Sequence, residues 1–124
     1  MATATGKVSF DADGVAHTLQ FTTNRLCLLE DKLGLTTLEI ATELALAKSE
    51  PLSASARTIR GLFWAGVGSG KTTMEQAGDL IDQVGRPRAV ALAIEAFDAA
   101  FPDIEEGEPK AAGEGGNPPS GAAG

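Results

Sequence analysis

Tyrosine is absent from this chain, and tryptophan, histidine and cysteine occur once each. A single cysteine excludes an intrachain disulfide and a cysteine-built metal cluster. A thiolate–imidazole pair would require Cys27 and His17 to meet. A reactive thiol also needs an electropositive, accessible setting. Cys27 instead falls in an apolar helical run and reads as a small buried hydrophobe. No apolar run reaches the roughly 18 residues that a membrane helix needs. No signal peptide opens the chain, so a cytoplasmic protein is expected, with no membrane partner.

A basic excess is missing too. The net charge is −7. Twelve acids and nine bases up to residue 102 leave −3, and five acids and one base in residues 103–124 leave −4. Nucleic-acid binding requires a basic patch, and Arg86 and Arg88 around Pro87 are too few to make one. What the chain does have is 43% hydrophobic residues, many of them alanine, with five phenylalanines. At 124 residues, that supports one small domain with a core of Leu, Ile, Val and Phe.

Residues 1–6 read as a frayed start. Val8 and Phe10 alternate with Lys7 and Ser9, and Val15, His17, Leu19 and Phe21 alternate with Ala16, Thr18 and Gln20. The turn over residues 11–14, ending in Asp13-Gly14, makes these a hairpin over 7–21. His17 then shares a face with Leu19 and Phe21 as a half-buried strand residue. Two strands alone are marginal, so the hairpin must pack on helices.

Five helices follow by spacing and punctuation. The first covers 24–33, with Leu26, Leu29 and Leu33 on one face, Glu30 and Asp31 pointing away, and Gly34 as a stop. Thr36 and Glu39 form a capping box for the second, 37–48. Leu38, Ala41 and Ala45 make one row there and Ile40, Leu44 and Ala47 the next. Glu39 and Glu43 lie along its wet side. After Pro51, Ser53 or Ser55 caps the third, 54–66. Thr73 and Gln76 box the fourth, 73–84, with Met74, Ala77, Ile81 and Val84 in line and Leu80 beside them. Val90, Ile94, Phe97 and Phe101 stripe the fifth, 87–101. Residues 103–124 hold six glycines and three prolines, with Ile104 the sole large apolar residue, and read as a disordered acidic tail.

The fold expected is mainly α, a hairpin packed on about five short helices. Its pivot is residues 57–84. Ala65 to Thr72 matches a relaxed phosphate loop with Gly70, Lys71 and Thr72 at its working end. Such a loop must leave a buried strand and open a helix, so that backbone N–H groups converge on phosphate. Ile59, Leu62, Phe63 and Gly66 instead recur at helical spacing, and a central parallel strand would not carry Arg60 between its apolar residues. The Gly-Lys-Thr is then a decoy in a polar turn, Gly66, Gly68 and Gly70 supply positive φ, and Lys71 is solvated. Trp64, four residues after Arg60, can meet the guanidinium with its ring. Arg60, Leu62, Phe63, Trp64 and Leu80 are the candidate partner contacts, because Trp and Arg are enriched where partners dock.

The order of pieces resembles a known family. A hairpin runs into Leu29-Glu30-Asp-Lys-Leu-Gly34, then Arg60-Gly-Leu-Phe-Trp-Ala-Gly66, then Glu75-Gln-Ala-Gly-Asp-Leu-Ile-Asp82, then an alanine-rich helix with Phe97 and Phe101. Over residues 5–101 this is similar to the small tail assembly chaperones of siphophage-like elements and gene transfer agents. The resemblance implies a non-enzymatic role without a cofactor. Such proteins coat the tape-measure protein, keep its apolar helices dispersed, help recruit tail-tube subunits, and are generally not kept in the finished particle. Self-association stays open. A structural tube component is the main alternative, though tube rings need more sheet than one hairpin. A small phosphate-binding protein acting through Gly70, Lys71 and Thr72 is the other.

Overall fold

The computed structural model describes residues 6–101. Of the start expected to be frayed, residues 1–5 lie outside the described residues, as does the tail expected over 103–124. The elements run β1 (Val8–Ala12), β2 (Val15–Leu19), α1 (Thr23–Leu33), α2 (Thr37–Ala47), a 3-10 turn (Pro51–Ser53), α3 (Ala56–Val67), α4 (Met74–Val84) and α5 (Arg86–Ala99). The expected architecture of one hairpin and five helices is what the chain adopts.

The hairpin pairs Val8 with Leu19, Phe10 with His17 and Ala12 with Val15 in antiparallel register. Asp13 at φ 54° and Gly14 at φ 79° are both left-handed. Two positive φ values in a two-residue loop match the twist of the flanking strands. The turn is therefore tighter than the spacing suggests, and Asp11 and Ala12 belong to β1. Val8, Phe10, Ala12 and Leu19 face the core. His17 stacks on Phe10 across the pair at 5.3 Å, and Phe10 meets Phe63 edge-on at 5.6 Å.

Helix α3 is the central element, packed against α1, α4, α5 and β2. Ser55 caps it by accepting the Thr58 N–H at 3.0 Å. The Glu43 carboxylate adds to that cap, accepting the Ser55 N–H at 2.6 Å and the Thr58 hydroxyl at 3.0 Å. Ile59, Leu62 and Phe63 are fully buried, each worth about 1.5–3 kcal/mol of transfer free energy. Residues 59–64 are thus helical, and the Gly-Lys-Thr turn follows a helix. Glu43 corrects the expected wet face of α2: its carboxylate ties α2 to the start of α3.

Two glycines inside α3 set how closely its neighbours approach. A Cβ on Gly61 would lie 3.0 Å from Leu33 and 3.2 Å from Leu29, so α1 rests on bare backbone there. A Cβ on Gly66 would lie 2.8 Å from Leu19 and 3.2 Å from the Phe21 ring. Gly66 is therefore a helical packing residue and not part of the turn. Of the three glycines that make the turn permissive of positive φ, Gly68 alone uses it, at 121°.

Cys27 is exposed, which corrects its expected burial. It sits two positions before Leu29, on the side of α1 turned away from the Leu29 and Leu33 stripe. Helices α4 and α5 close the bundle. Thr73 and Gln76 make the expected capping box, with bonds of 3.0 and 3.1 Å. In α5, Ala89, Leu92, Ala93 and Ala96 are buried along with Val90 and Phe97. The run of small residues lets α5 sit close to its neighbours over a wide face.

Gly66→Ala is expected to destabilise the fold by about 1–3 kcal/mol in urea unfolding, because overpacking exceeds the helix-propensity gain. Gly70→Ala has open space around its Cβ position and ordinary φ, so it is expected to be neutral or stabilising by up to about 1 kcal/mol.

Candidate functional site: an apolar groove between two helices

Helix α2 is amphipathic in an unusual sense. Its inner row, Ile40, Leu44 and Ala47, is buried. Its outer row keeps large apolar groups in water: Leu38 is 74% exposed and Leu46 57%, and Leu52 in the 3-10 turn is 71% exposed. Isolated exposed leucines are ordinary, but one that lines an apolar concavity, as Leu38 alone of these three does, marks a candidate interaction surface. Here such a concavity exists. A groove of about 510 Å³ runs between α2 and the end of α5, lined by Leu38, Ala41, Leu44 and Ala45 on one side and Phe97 and Phe101 on the other.

Three polar contacts hold α2 in place. At its start, the Glu30 carboxylate accepts the Thr37 N–H at 2.7 Å and the Thr37 hydroxyl at 2.8 Å. Those bonds, the hydroxyl's first, hold the Glu30 carboxyl below the usual carboxylate range. Further along, Glu43 reaches the start of α3. At its end, Lys48 pairs with Asp98 of α5 at 3.0 Å and closes one end of the groove. The floor is fixed from below, where Phe97 touches Phe21 at 6.0 Å and Phe101 at 5.2 Å between ring centroids.

The residues singled out from sequence do not form one surface. Leu62 and Phe63 are fully buried and Leu80 nearly so. That corrects their reading as partner contacts: they are core, because the apolar face of α3 is surrounded by β2, α1, α4 and α5. Leu80 lies with Ala12 and Val15 between α4 and the hairpin. Arg60 and Trp64 diverge. The Arg60 stem crosses α4, 3.5 Å from where a Cβ of Gly78 would be. Trp64 is half-buried, and the cation over its ring is Lys32 of α1 at 5.4 Å, not Arg60. The groove was missed because the row Leu38, Ala41, Ala45 looked like a second core row. Nothing in local spacing told which of two rows would be covered.

Gly70, Lys71 and Thr72 lie in the turn between α3 and α4. The N–H groups of Lys71 and Thr72 both donate to the Gly68 carbonyl, at 2.8 and 3.2 Å. The Thr72 hydroxyl is buried and bonds locally, to the Thr73 carbonyl and Gln76. In a phosphate cradle those groups would point at the anion. Among the described residues, no three of His, Cys, Asp and Glu are grouped to hold a metal ion, and no helix is long and apolar enough to cross a membrane. No family model matches the chain, and neither a curated protein nor a solved structure matches it.

The lowered Glu30 pKa has a definite sign in folding. A carboxylate with a folded pKa below its unfolded value stabilises the fold above the unfolded value, and that contribution fades as pH falls through the folded one. Urea midpoints followed from neutral pH into the acid range should therefore fall. A Glu30→Gln variant should start lower at neutral pH and lose less on acidification. A parallel pair of curves would show that the Thr37 bonds carry no such linkage.

Proposed function

We propose that this chain is a non-enzymatic tail assembly chaperone of a phage-like particle or gene transfer agent, binding the tape-measure protein while the tail is built. The observation that carries the reading is the groove between α2 and α5, with Leu38 exposed in its wall. A tape measure is long, helical and apolar along one face. A helix of that kind docks through residues at i, i+3 or i+4, and i+7 into an apolar groove. Helix α2 offers 11 residues, about 16 Å of wall, which matches about three turns of a client helix. The volume lies within the range of binding clefts. The family resemblance of residues 5–101 points the same way.

The net charge of −7 suits a solubilising role, since like-charged coats repel one another. Cytoplasmic action in the host cell and absence from the finished particle belong to this reading. Recruitment of tail-tube subunits, the other partner the resemblance implies, would need a second surface.

Co-expression with the tape-measure protein should raise its soluble fraction and yield a complex that survives purification. Leu38→Asp together with Ala45→Asp should weaken that complex at least tenfold, which corresponds to about 1.4 kcal/mol. Both side chains are exposed, so the thermal midpoint should hold. If neither association nor solubility changes with the wild-type chain, the chaperone reading fails. If the complex forms but ignores the two substitutions, the groove is the wrong surface.

A further inference from the structure

The acidic chain carries one cationic concavity away from the groove. Lys7 before β1, His17 on β2, Arg25 on α1 and Lys71 in the turn after α3 line a common pocket of about 340 Å³, and no carboxylate lines it. Four basic groups from four separate places thus converge in a molecule of net charge −7. Arg25 is half-buried and fixed. Its Nη1 donates to the Gln20 and Gly66 carbonyls at 3.0 and 2.9 Å, which holds the guanidinium plane at the pocket wall. Its Nη2 lies 3.6 Å from the Cβ position of Gly68, beside the Lys71 stem. Lys71 also borders a depression containing Asp13 and Asp79, yet it forms an ion pair with neither.

The pocket's donors decide its ligand class. Compact phosphates are held by converging backbone N–H groups, and here the N–H groups of Lys71 and Thr72 are turned inward to the Gly68 carbonyl. What remains is the side-chain charge of Arg25 and Lys71, spread along the wall and suited to carboxylates spaced along a peptide. Such a peptide is attached to this chain. Asp103, Glu105, Glu106 and Glu108 follow Phe101 directly. The chain leaves α5 beside the strand that carries Lys7: the Ala99 carbonyl oxygen is 3.6 Å from the Cβ position of Gly6. Six residues can span about 20 Å when extended, and a short tether supplies millimolar effective concentration.

We propose that this pocket is a carboxylate-binding site and that its occupant is the acidic stretch 103–108 of the same chain. The inference is independent of the groove. Binding at exposed ammonium groups is screened by salt, so the contact opens as ionic strength rises.

The test uses the full chain, labelled for amide NMR. Neutralising the stretch with Asp103→Asn, Glu105→Gln, Glu106→Gln and Glu108→Gln should move the resonances of His17, Gln20, Arg25 and Lys71. Sodium chloride should move the wild-type resonances in the same direction. Lys71→Gln, at an exposed position, should reciprocally move residues 103–108. Adding a synthetic peptide of residues 102–112 to the neutralised chain should restore the shifts, and millimolar inorganic phosphate should not. Changes confined to residues 101–110 in the neutralised variant overturn the proposal. Restoration by phosphate but not by peptide overturns the carboxylate assignment.

Discussion

The fold depends on one carbonyl group and one absent methyl, both at Gly66. The missing Cβ lets Leu19 and Phe21 close onto α3. The carbonyl, in the last turn of α3 where helices leave acceptors unsatisfied, takes the Gln20 N–H at 3.0 Å and the Arg25 guanidinium at 2.9 Å. Strand β2, the start of α1 and the end of α3 are therefore joined at a single residue. A side chain there would push the hairpin off the bundle, and losing Arg25 would strip a charge-assisted bond from a part-buried acceptor, a term of about 1.5–3 kcal/mol. A two-stranded hairpin has little stability of its own. Its attachment at Gly66 and the Phe10–Phe63 contact explain why it is an ordered part of the domain.

Helix α2 is held differently, and the difference explains the groove. Where α1 and α4 press their ridges onto α3, α2 is located by side-chain oxygens: Glu30 at its first residue, Glu43 in its second turn, and the Lys48–Asp98 pair at its end. Directional bonds fix a helix in place without requiring that both of its apolar rows be covered. The inner row seals the core and the outer row is left facing water across from Phe97 and Phe101. An arrangement of this kind fixes the groove wall without a covering element, and a wall already ordered lowers the ordering cost of any binding to it.

Most of the architecture could be read from spacing and punctuation. Both threonine capping boxes, the left-handed Gly34 and the Asp13-Gly14 turn follow from local chemistry that tertiary packing does not override. The groove could not be read that way. Leu62, Phe63 and Leu80 were chosen for residue type, and type says nothing about whether a face is already occupied. Glu30 and Glu43 were read as solvated because their partners, Thr37, Ser55 and Thr58, come from other elements. Trp64 meets Lys32 for the same reason: an i, i+4 neighbour on one helix lost to a residue across the α1–α3 interface. Each of these contacts joins two different elements, and the periodicity within one element carries no information about the other.

The Gly-Lys-Thr turn shows how little a short motif means apart from its surroundings. The same letters that cradle phosphate after a strand here finish one helix and start another. The Lys71 and Thr72 N–H groups close back on Gly68, and the Thr72 hydroxyl serves the cap of α4. What the turn keeps is the charge of Lys71, aimed beside Arg25, His17 and Lys7. The backbone's inward direction removes the compact cradle, and the outward side chains leave a diffuse cationic field. The placement of the Lys71 side chain beside Arg25 thus follows from the helical course of residues 56–67, which ends where the turn begins.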